Sequence, residues 1–295
     1  MTTLQNKIDF AVILRVKNAN PNGDPLNGNR PRTDYSNFGE MTDVSIKRKI
    51  RDRLLERWVA SGKTDDGNMI FVQSDDRKAD EYKSLRARAE AGLGKELGSD
   101  RTVEIACKKW FDVRAFGQLF ALKSNKKAGK KKDDGSDDEG DTGVSIGIRG
   151  PVTVQSAFSV EPIDVISTQI TKSVNGEDTK DGRPSSDRMG MKHRVDHGIY
   201  RFYGSMNPQL AEKTKFSDAD AEILKQLLPK LFENDESSAR PAGSMEVLTV
   251  FWWKHNCKSG QHSSAKVHRS LTVNPDGTYR CDDLDNLTPE VIPGF

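Results

Sequence analysis

The chain has 295 residues and a mass of 32.9 kDa, enough for one domain with insertions or for two smaller domains. Hydrophobic residues make up 34% of it and charged residues 31%, so much of the chain must contact water. No apolar run approaches membrane-spanning length, and the N-terminus lacks the composition of a signal peptide. Three widely separated cysteines (Cys107, Cys257 and Cys281) predict no disulfide framework. We therefore expect a cytoplasmic protein without membrane contact.

The net charge of +2 hides an uneven distribution. Between Arg15 and Trp58, ten Lys and Arg stand against six Asp and Glu, a local excess of +4. Clustered positive charge is typical of a surface that binds a polyanion.

The first predicted element is a strand from Ile8 to Lys17. Apolar and other residues alternate strictly there, which predicts a half-buried strand with Arg15 and Lys17 on its open face.

A loop rich in turn residues follows, from Asn18 to Asp34. It contains five Asn, two Gly and three Pro, and it ends with Arg30 and Arg32. These residue types form turns readily, so an ordinary surface loop is one interpretation. The other is a loop whose backbone amides, Asn20 and Asn22 side chains and two arginines contact a polyanion.

Thr42 and Asp43 predict the start of a helix that runs to about Ala60. Ser45 lies in its first turn, and Lys47, Arg48 and Arg51 lie beside its apolar stripe. Helix N-termini with nearby cations often bind phosphate, although a solvated basic face is the simpler alternative.

The rest of the chain predicts more strands and helices. We expect a short strand at 69–72, a polar helix at 77–97, a helix over 103–110, strands over 143–160, a helix capped by Ser217 and Asp220, and a central strand at 245–253. Together they describe an α+β sheet with helices on one face. The run from Lys123 to Gly143 has lysines followed by acids and predicts a mobile insertion.

The segment from Pro162 to Arg194 is polar and interrupted by glycines, with a hairpin signal at Asn175-Gly176. It is either a disordered loop or a projecting hairpin held at both ends by the sheet. Methionines beside cations would let a hairpin wedge between bases while binding phosphates. The candidate residues are Lys172, Arg183, Arg188, Met189, Met191, Lys192, His193 and Arg194.

Catalytic motifs are poorly represented. Asp24 could be a general base or a metal ligand, but an Asx-turn residue is the simpler interpretation. The histidines and cysteines from His255 to Cys281 match no familiar zinc spacing. We expect no enzyme activity, metal or cofactor.

Four motifs together resemble the backbone subunit of the subtype I-C CRISPR surveillance complex, Cascade, in the RAMP superfamily. They are N-A-N-P-N-G-D-P (18–25), D-V-S-I-K-R-K-I-R-D (43–52), W-F-D-V-R-A-F-G (110–117) and I-R-G-P-V (148–152). The resemblance covers essentially the whole chain.

The resemblance implies a modified RRM-like (ferredoxin-like) palm over 1–61, 143–161 and 195–295, a helical fingers insertion over 62–142 and a β-hairpin thumb over 162–194. It implies several copies polymerising along one CRISPR RNA (crRNA) that pairs with a target DNA strand. The implied partners are neighbouring copies, the crRNA-processing and end-capping subunit, the large and small subunits, and a recruited helicase–nuclease.

By the same resemblance, Lys47, Arg48 and Arg51 should bind phosphates, and Phe116 or Gln118 should lie near the RNA. The expected RNA-binding set outside the thumb is Arg15, Lys17, Asn20, Asn22, Arg30, Arg32, Ser45, Lys47, Arg48, Arg51, Phe116 and Gln118. Two other functions stay open. Related type III subunits cut RNA with an aspartate in the equivalent loop, which would make Asp24 part of a metal-dependent endoribonuclease. The third is a general single-stranded RNA-binding protein.

Overall fold

The computed structural model describes residues 2–122, 144–172 and 188–295. The elements up to residue 149 are β1 (Ile8–Ala19), β2 (Gly23–Asp24), β3 (Arg30–Pro31), β4 (Phe38–Met41), α1 (Asp43–Ala60), α2 (Leu85–Leu93), α3 (Thr102–Lys109), α4 (Phe111–Phe116), β5 (Gly117–Leu122) and β6 (Val144–Arg149). The later elements are β7 (Val152–Val154), β8 (Ala157–Pro162), β9 (Val165–Lys172), β10 (Arg188–Met206), α5 (Pro208–Thr214), α6 (Asp218–Leu227), β11 (Met245–Lys254), α7 (Ser264–Arg269), β12 (Leu271–Val273), β13 (Tyr279–Cys281) and β14 (Glu290–Pro293).

Eight strands of the described residues form one antiparallel sheet. Six follow the order β14-β11-β1-β10-β8-β4, and β7 and β9 each pair with β10. β1 pairs with β10 from Ile8 opposite Met206 to Ala19 opposite Val195. The prediction of a mixed helix-and-strand fold around a large sheet is confirmed. None of the helices in the described ranges is long and apolar enough to cross a membrane.

β1 lies inside this sheet, between β10 and β11. Its alternating sequence predicted one open face, and that prediction is wrong. Ala11 and Ile13, on the supposed open side, are buried in a second core, and Asp9 is fully buried as well. Only Arg15, Lys17 and Asn18, near the end of the strand, reach solvent.

The sheet is covered on both faces, so the expectation of helices on one face is also wrong. On one face Ile46 of α1 shares a core with Phe10 of β1. On the other face Val267 of α7 shares a core with Ile13 of β1. Because the sheet is covered on both faces, most of its central strand is buried although the apolar content of the chain is modest.

Residues 62–122 surround a small core of their own, which includes Phe71, Cys107 and Trp110 and also takes in Ile148 of β6. The helix predicted over 77–97 is shorter than expected, since α2 covers only Leu85–Leu93. The strand predicted at 69–72 is reduced to one bridge between Met69 and Trp110. Polar residues around both segments limit the apolar surface that could stabilise longer elements.

The predicted capping role of Asp220 is confirmed, and the same side chain also pairs with an arginine. Its side chain accepts from the Ser217 backbone N–H (2.8 Å), and the Ser217 hydroxyl caps α6 in return. The same carboxylate receives two hydrogen bonds from the Arg114 guanidinium, at 2.7 and 3.1 Å. This buried bidentate pair ties α4 to α6.

One end of the sheet narrows to a single strand pair. β10 is 19 residues long, and its first half pairs with β9 from Arg188 opposite Lys172 to Val195 opposite Val165. We call residues 165–172 and 188–195 the arm. Arg183, the Asn175-Gly176 hairpin signal and the charge run after Lys123 lie outside the described residues.

A buried polar cluster joins β1 to the second layer. The Asp9 carboxylate lies 2.9 Å from Nε2 of His255, 3.1 Å from the Lys7 ammonium and 3.7 Å from Nε2 of His268. The Gln261 backbone N–H donates to Nδ1 of His255, so Nε2 of that ring carries the proton that Asp9 accepts. Two of the histidines considered as zinc ligands thus pack against this carboxylate.

Stability should fall in mild acid through His268. Burial lowers the pKa of His268 below 6.5, although the Asp9 carboxylate opposes this shift. The unfolded chain then takes up a proton at His268 more readily than the folded protein does, so stability is lost as the pH falls below about 6.5. The free energy of unfolding, measured with urea at about pH 7.5 and pH 5, should decline less between these pH values for His268→Gln than for wild type. His197→Gln, at an exposed histidine, should keep the wild-type decline; equal declines in all three proteins would contradict the assignment.

Candidate nucleic-acid interface

The loop after β1 is closely held by its own turn residues. Asn18 has a positive φ of 54°, which asparagine tolerates better than most residues. The Asn20 backbone N–H donates to the Ala239 carbonyl (2.8 Å), and its side-chain amide donates to the Asn29 carbonyl (2.7 Å). Asn20 is therefore buried and shapes the loop from within.

Asn22 connects this loop to the start of α1. Its Oδ1 accepts from the Thr42 backbone N–H at 2.9 Å and from the Thr42 hydroxyl at 3.0 Å. Thr42 is the N-cap of α1 and accepts from the Ser45 backbone N–H. The predicted cap is confirmed, and the loop and the helix N-terminus form one unit.

Asp24 has the local contacts of a turn residue. Its side chain accepts from the Leu26 backbone N–H (3.1 Å) and forms an ion pair with Arg32 at 3.3 Å. Within the described residues, no three His, Cys, Asp or Glu side chains are grouped as a metal site would require. The geometry of Asp24 is that of an Asx turn.

The cations of the strand and loop differ in their partners. Arg15 is paired with Glu246, and Arg32 with Asp24. Lys17 and Arg30 are exposed, and neither makes an ion pair within the described ranges. These two are the best placed of the four to bind an external anion.

The predicted phosphate-binding side chains of α1 all have acidic partners. Lys47 lies 2.9 Å from Asp43, one turn earlier in the helix. Arg48 lies 2.9 Å from Asp76 and 3.6 Å from Asp52. The pairs of Lys47 and Arg48 are partly exposed, so a phosphate could compete for both cations.

Arg51 is held more firmly. Its Nε donates to Asp112 at 3.1 Å, and its guanidinium lies 5.2 Å from the centre of the Phe116 ring. Asp112 also accepts from the backbone N–H groups of Phe71 (2.7 Å) and Val72 (3.0 Å). Arg51 and Phe116 therefore join α1 to the insertion.

Two other aromatic residues of the W-F-D-V-R-A-F-G motif, Trp110 and Phe111, are buried. Gln118 is half-buried on β5, and its side-chain amide donates to the Leu119 carbonyl (3.0 Å). The motif thus supplies packing and internal ion pairs.

The arm brings a different surface to the same end of the sheet. Met189 and Met191 are exposed there, and Nε of Arg194 donates to Oδ1 of Asn18 (3.1 Å), which ties the arm to the loop. The His193 ring is hydrogen-bonded to the Ser167 hydroxyl across the strand pair (2.8 Å).

A shallow groove separates the arm from the loop. It is lined by Asn20, Asn29, Ile170, Met191, Lys192 and His193. Lys172 and Arg188 lie at the outer ends of the two described arm strands.

Sequence reasoning missed the acidic partners of the cations. Asp43 and Asp52 stand four residues from Lys47 and Arg48, a spacing that signals ion pairs on a helix. Asp76 and Asp112 come from the insertion, and local sequence offers no signal for such long-range partners.

The sequence matches the family described as CRISPR-associated protein Cas7 over residues 6–289. The chain belongs to the Cas7 family. A curated relative, the CRISPR-associated protein Cas7 of Haloferax volcanii, is 27% identical over 303 aligned residues, covering 99% of this chain and 82% of the relative.

Two solved structures are loosely similar to this Cas7-family chain. One is a chain of a CRISPR RNA-guided surveillance complex, pre-nicking, with a TM-score of 0.46 and 15% identity over 84% of this chain and 78% of the other. The second, also from a CRISPR RNA-guided surveillance complex, has a TM-score of 0.45 and 15% identity over 92% and 77% of the two chains. The family assignment rests on the sequence match.

Asp112→Ala should destabilise the protein strongly. It removes the acceptor of two backbone N–H groups, one of them buried, and leaves the Arg51 guanidinium without its partner, a loss of about 3–5 kcal/mol for a broken buried pair. Asp43→Ala, which removes the partly exposed partner of Lys47, should cost under about 1 kcal/mol. Chemical denaturation of the two variants measures the difference, and equal midpoints would show that Asp112 has no special role.

Proposed function

We propose that this chain is the repeated backbone subunit of a subtype I-C CRISPR surveillance complex, with several copies coating one crRNA. The observation that carries the proposal is the Cas7 family match across nearly the whole sequence. The structure supports it through the convergence of three elements at one end of the sheet. The loop after β1 is bonded to the cap of α1 through Asn22 and to the arm through Asn18 and Arg194.

This interface is suited to holding RNA without reading its sequence. Lys17 and Arg30 offer exposed charge to phosphates, Lys47 and Arg48 can exchange carboxylate partners for phosphate, and Arg51 positions the helix. Phosphate contacts fix the register of a nucleic acid but carry no sequence information. Sequence would then be read by base pairing between the guide and a target DNA strand.

The proposal assigns the palm to 1–61, 143–161 and 195–295, the fingers to 62–142 and the thumb to 162–194. A core built mainly from residues 62–122, which also takes in Ile148 of the assigned palm, supports treating the fingers as a unit. Apart from Val195, the arm lies within the described part of the thumb, and its exposed methionines are suited to wedging between bases.

The proposed assembly is cytoplasmic and contains other proteins. Neighbouring copies, a crRNA-processing and end-capping subunit, and the large and small subunits would complete the complex. Target destruction is assigned to a recruited helicase–nuclease, so this subunit itself is not a nuclease. A general single-stranded RNA-binding protein would instead show no preference for RNA flanked by CRISPR repeats.

Neutralising Lys17 and Arg30 should weaken RNA binding uniformly across sequences. Removing one phosphate contact reduces the slope of log affinity against log salt by about 0.7 for a single strand. Lys17→Gln with Arg30→Gln should therefore flatten the slope by about 1.4 if both residues bind phosphates. Fluorescence anisotropy with a labelled crRNA over a salt series gives the slope.

The matched control is Lys95→Gln with Lys213→Gln, which removes one exposed lysine from the insertion and one from α5. This control should leave the slope close to that of wild type. Identical slopes for both double variants would reject the assigned surface.

Asp24→Ala tests the endoribonuclease alternative. Because Asp24 holds a turn and pairs with Arg32, its loss should lower stability by about 1 kcal/mol. Incubation of the assembled complex with complementary labelled RNA and Mg²⁺ should show no cleavage that depends on Asp24. Guide-directed cleavage by wild type that disappears in Asp24→Ala would establish the nuclease instead.

A further inference from the structure

Tyr35 and Leu26 are the two most exposed large hydrophobic side chains in the described part of the chain, at 110% and 98% of their reference areas. Leu26 lies between β2 and β3, and Tyr35 lies in the turn between β3 and β4. Leu26 therefore lies within the loop after β1, and Tyr35 directly follows that loop. Of the two, only Tyr35 presents an aromatic face.

The turn that carries Tyr35 is rigid although its ring is not packed. Oδ1 of Asp34 accepts from the backbone N–H groups of Ser36 (2.8 Å) and Phe38 (2.9 Å). Asn37 takes a positive φ of 63°, and its carbonyl accepts from the Ile163 backbone N–H at 2.9 Å. The backbone around Tyr35 is thus fixed, so a ligand would need to immobilise only the two side-chain torsions of the tyrosine.

This turn stands at the root of the arm. Ile163 directly follows β8 and precedes β9, so its bond to Asn37 fixes the turn where the chain leaves the sheet. On the other strand of the arm, Arg194 is bonded to Asn18. A strand of RNA that contacts the loop and the arm would pass close to Tyr35.

The surroundings of the ring favour a nucleobase over a protein partner. Asp34, Ser36 and Asn37 beside it are polar and exposed. Aromatic anchors of protein interfaces are enclosed by contacts that exclude water, and this turn offers no apolar rim. A base needs only the face of the ring, and such stacking tolerates every base.

We propose that Tyr35 stacks on a base of the bound RNA and adds affinity without reading sequence. The inference rests on the proposed function, because it assumes RNA at this end of the sheet. It gives the interface a contact that depends on bases, in contrast to the phosphate contacts of Lys17 and Arg30.

Two probes of equal length test the proposal: a labelled single-stranded RNA, and an oligonucleotide in which abasic residues replace every nucleoside. Tyr35→Ala should bind the RNA roughly tenfold to a hundredfold more weakly, the range expected when one stack is removed. Its salt slope should match wild type, since no phosphate contact is removed. Wild type and Tyr35→Ala should bind the abasic probe with equal affinity. Tyr35→Trp, which keeps an aromatic face, should retain the affinity of wild type for RNA.

Tyr82→Ala is the matched control, at a partly exposed tyrosine of the insertion, and it should leave both affinities unchanged. Equal losses on both probes by Tyr35→Ala, or a loss of self-association without RNA, would overturn the stacking role and leave the proposed function standing. Wild-type protein that binds neither probe would overturn the proposed function and the stacking role with it.

Discussion

The Asp112 carboxylate is the constraint on which the candidate interface depends. It is almost fully buried and accepts hydrogen bonds from Arg51 of α1 and from the backbone of Phe71 and Val72. One side chain therefore fixes the basic helix relative to the insertion. A buried carboxylate with three donors is costly to disturb, so the orientation of α1 is set before any ligand arrives.

A second set of bonds determines where the loop after β1 lies. Asn22 binds the cap of α1, Asn20 binds the far side of the loop, and Asn18 binds the arm through Arg194. The side chains of these three asparagines thus bond to other parts of the protein and fix the conformation of the loop. The groups that remain available to a ligand at that surface are exposed backbone, the side chains of Lys17 and Arg30, and a few large side chains that are exposed to solvent.

Sequence patterns predicted the elements whose signals are local. The N-cap of α1 at Thr42 and the Ser217–Asp220 capping box are confirmed, because caps depend on residues three apart. The solvent face of β1 was predicted wrongly, because most of the residues that cover Ala11 and Ile13 are more than two hundred positions away. Alternation reports which residues could face water, and only tertiary packing decides whether they do.

The same limit applies to the candidate site. The density of cations over 15–58 correctly indicated a region of concentrated charge, but not which charges are available. Asp76 and Asp112 reach α1 from the insertion, and no spacing rule connects them to Arg48 and Arg51. Exposure of Tyr35 was equally hidden, since it depends on the absence of packing around a turn.

The length of β10 has a mechanical consequence. One uninterrupted strand of 19 residues, roughly 60 Å at about 3.3 Å per residue, serves both the arm and the sheet. Eleven register pairs bind its later part to β1, so more than half of β10 is anchored in the sheet and the arm extends from that anchored part. A shift of β10 along β1 would break all of the backbone hydrogen bonds between these two strands at once. In a repeating assembly of the proposed kind, the distance from the body of one subunit to the tip of its arm would then be constant. It would follow from the rise per residue of the strand and would not depend on the sequence of the bound RNA.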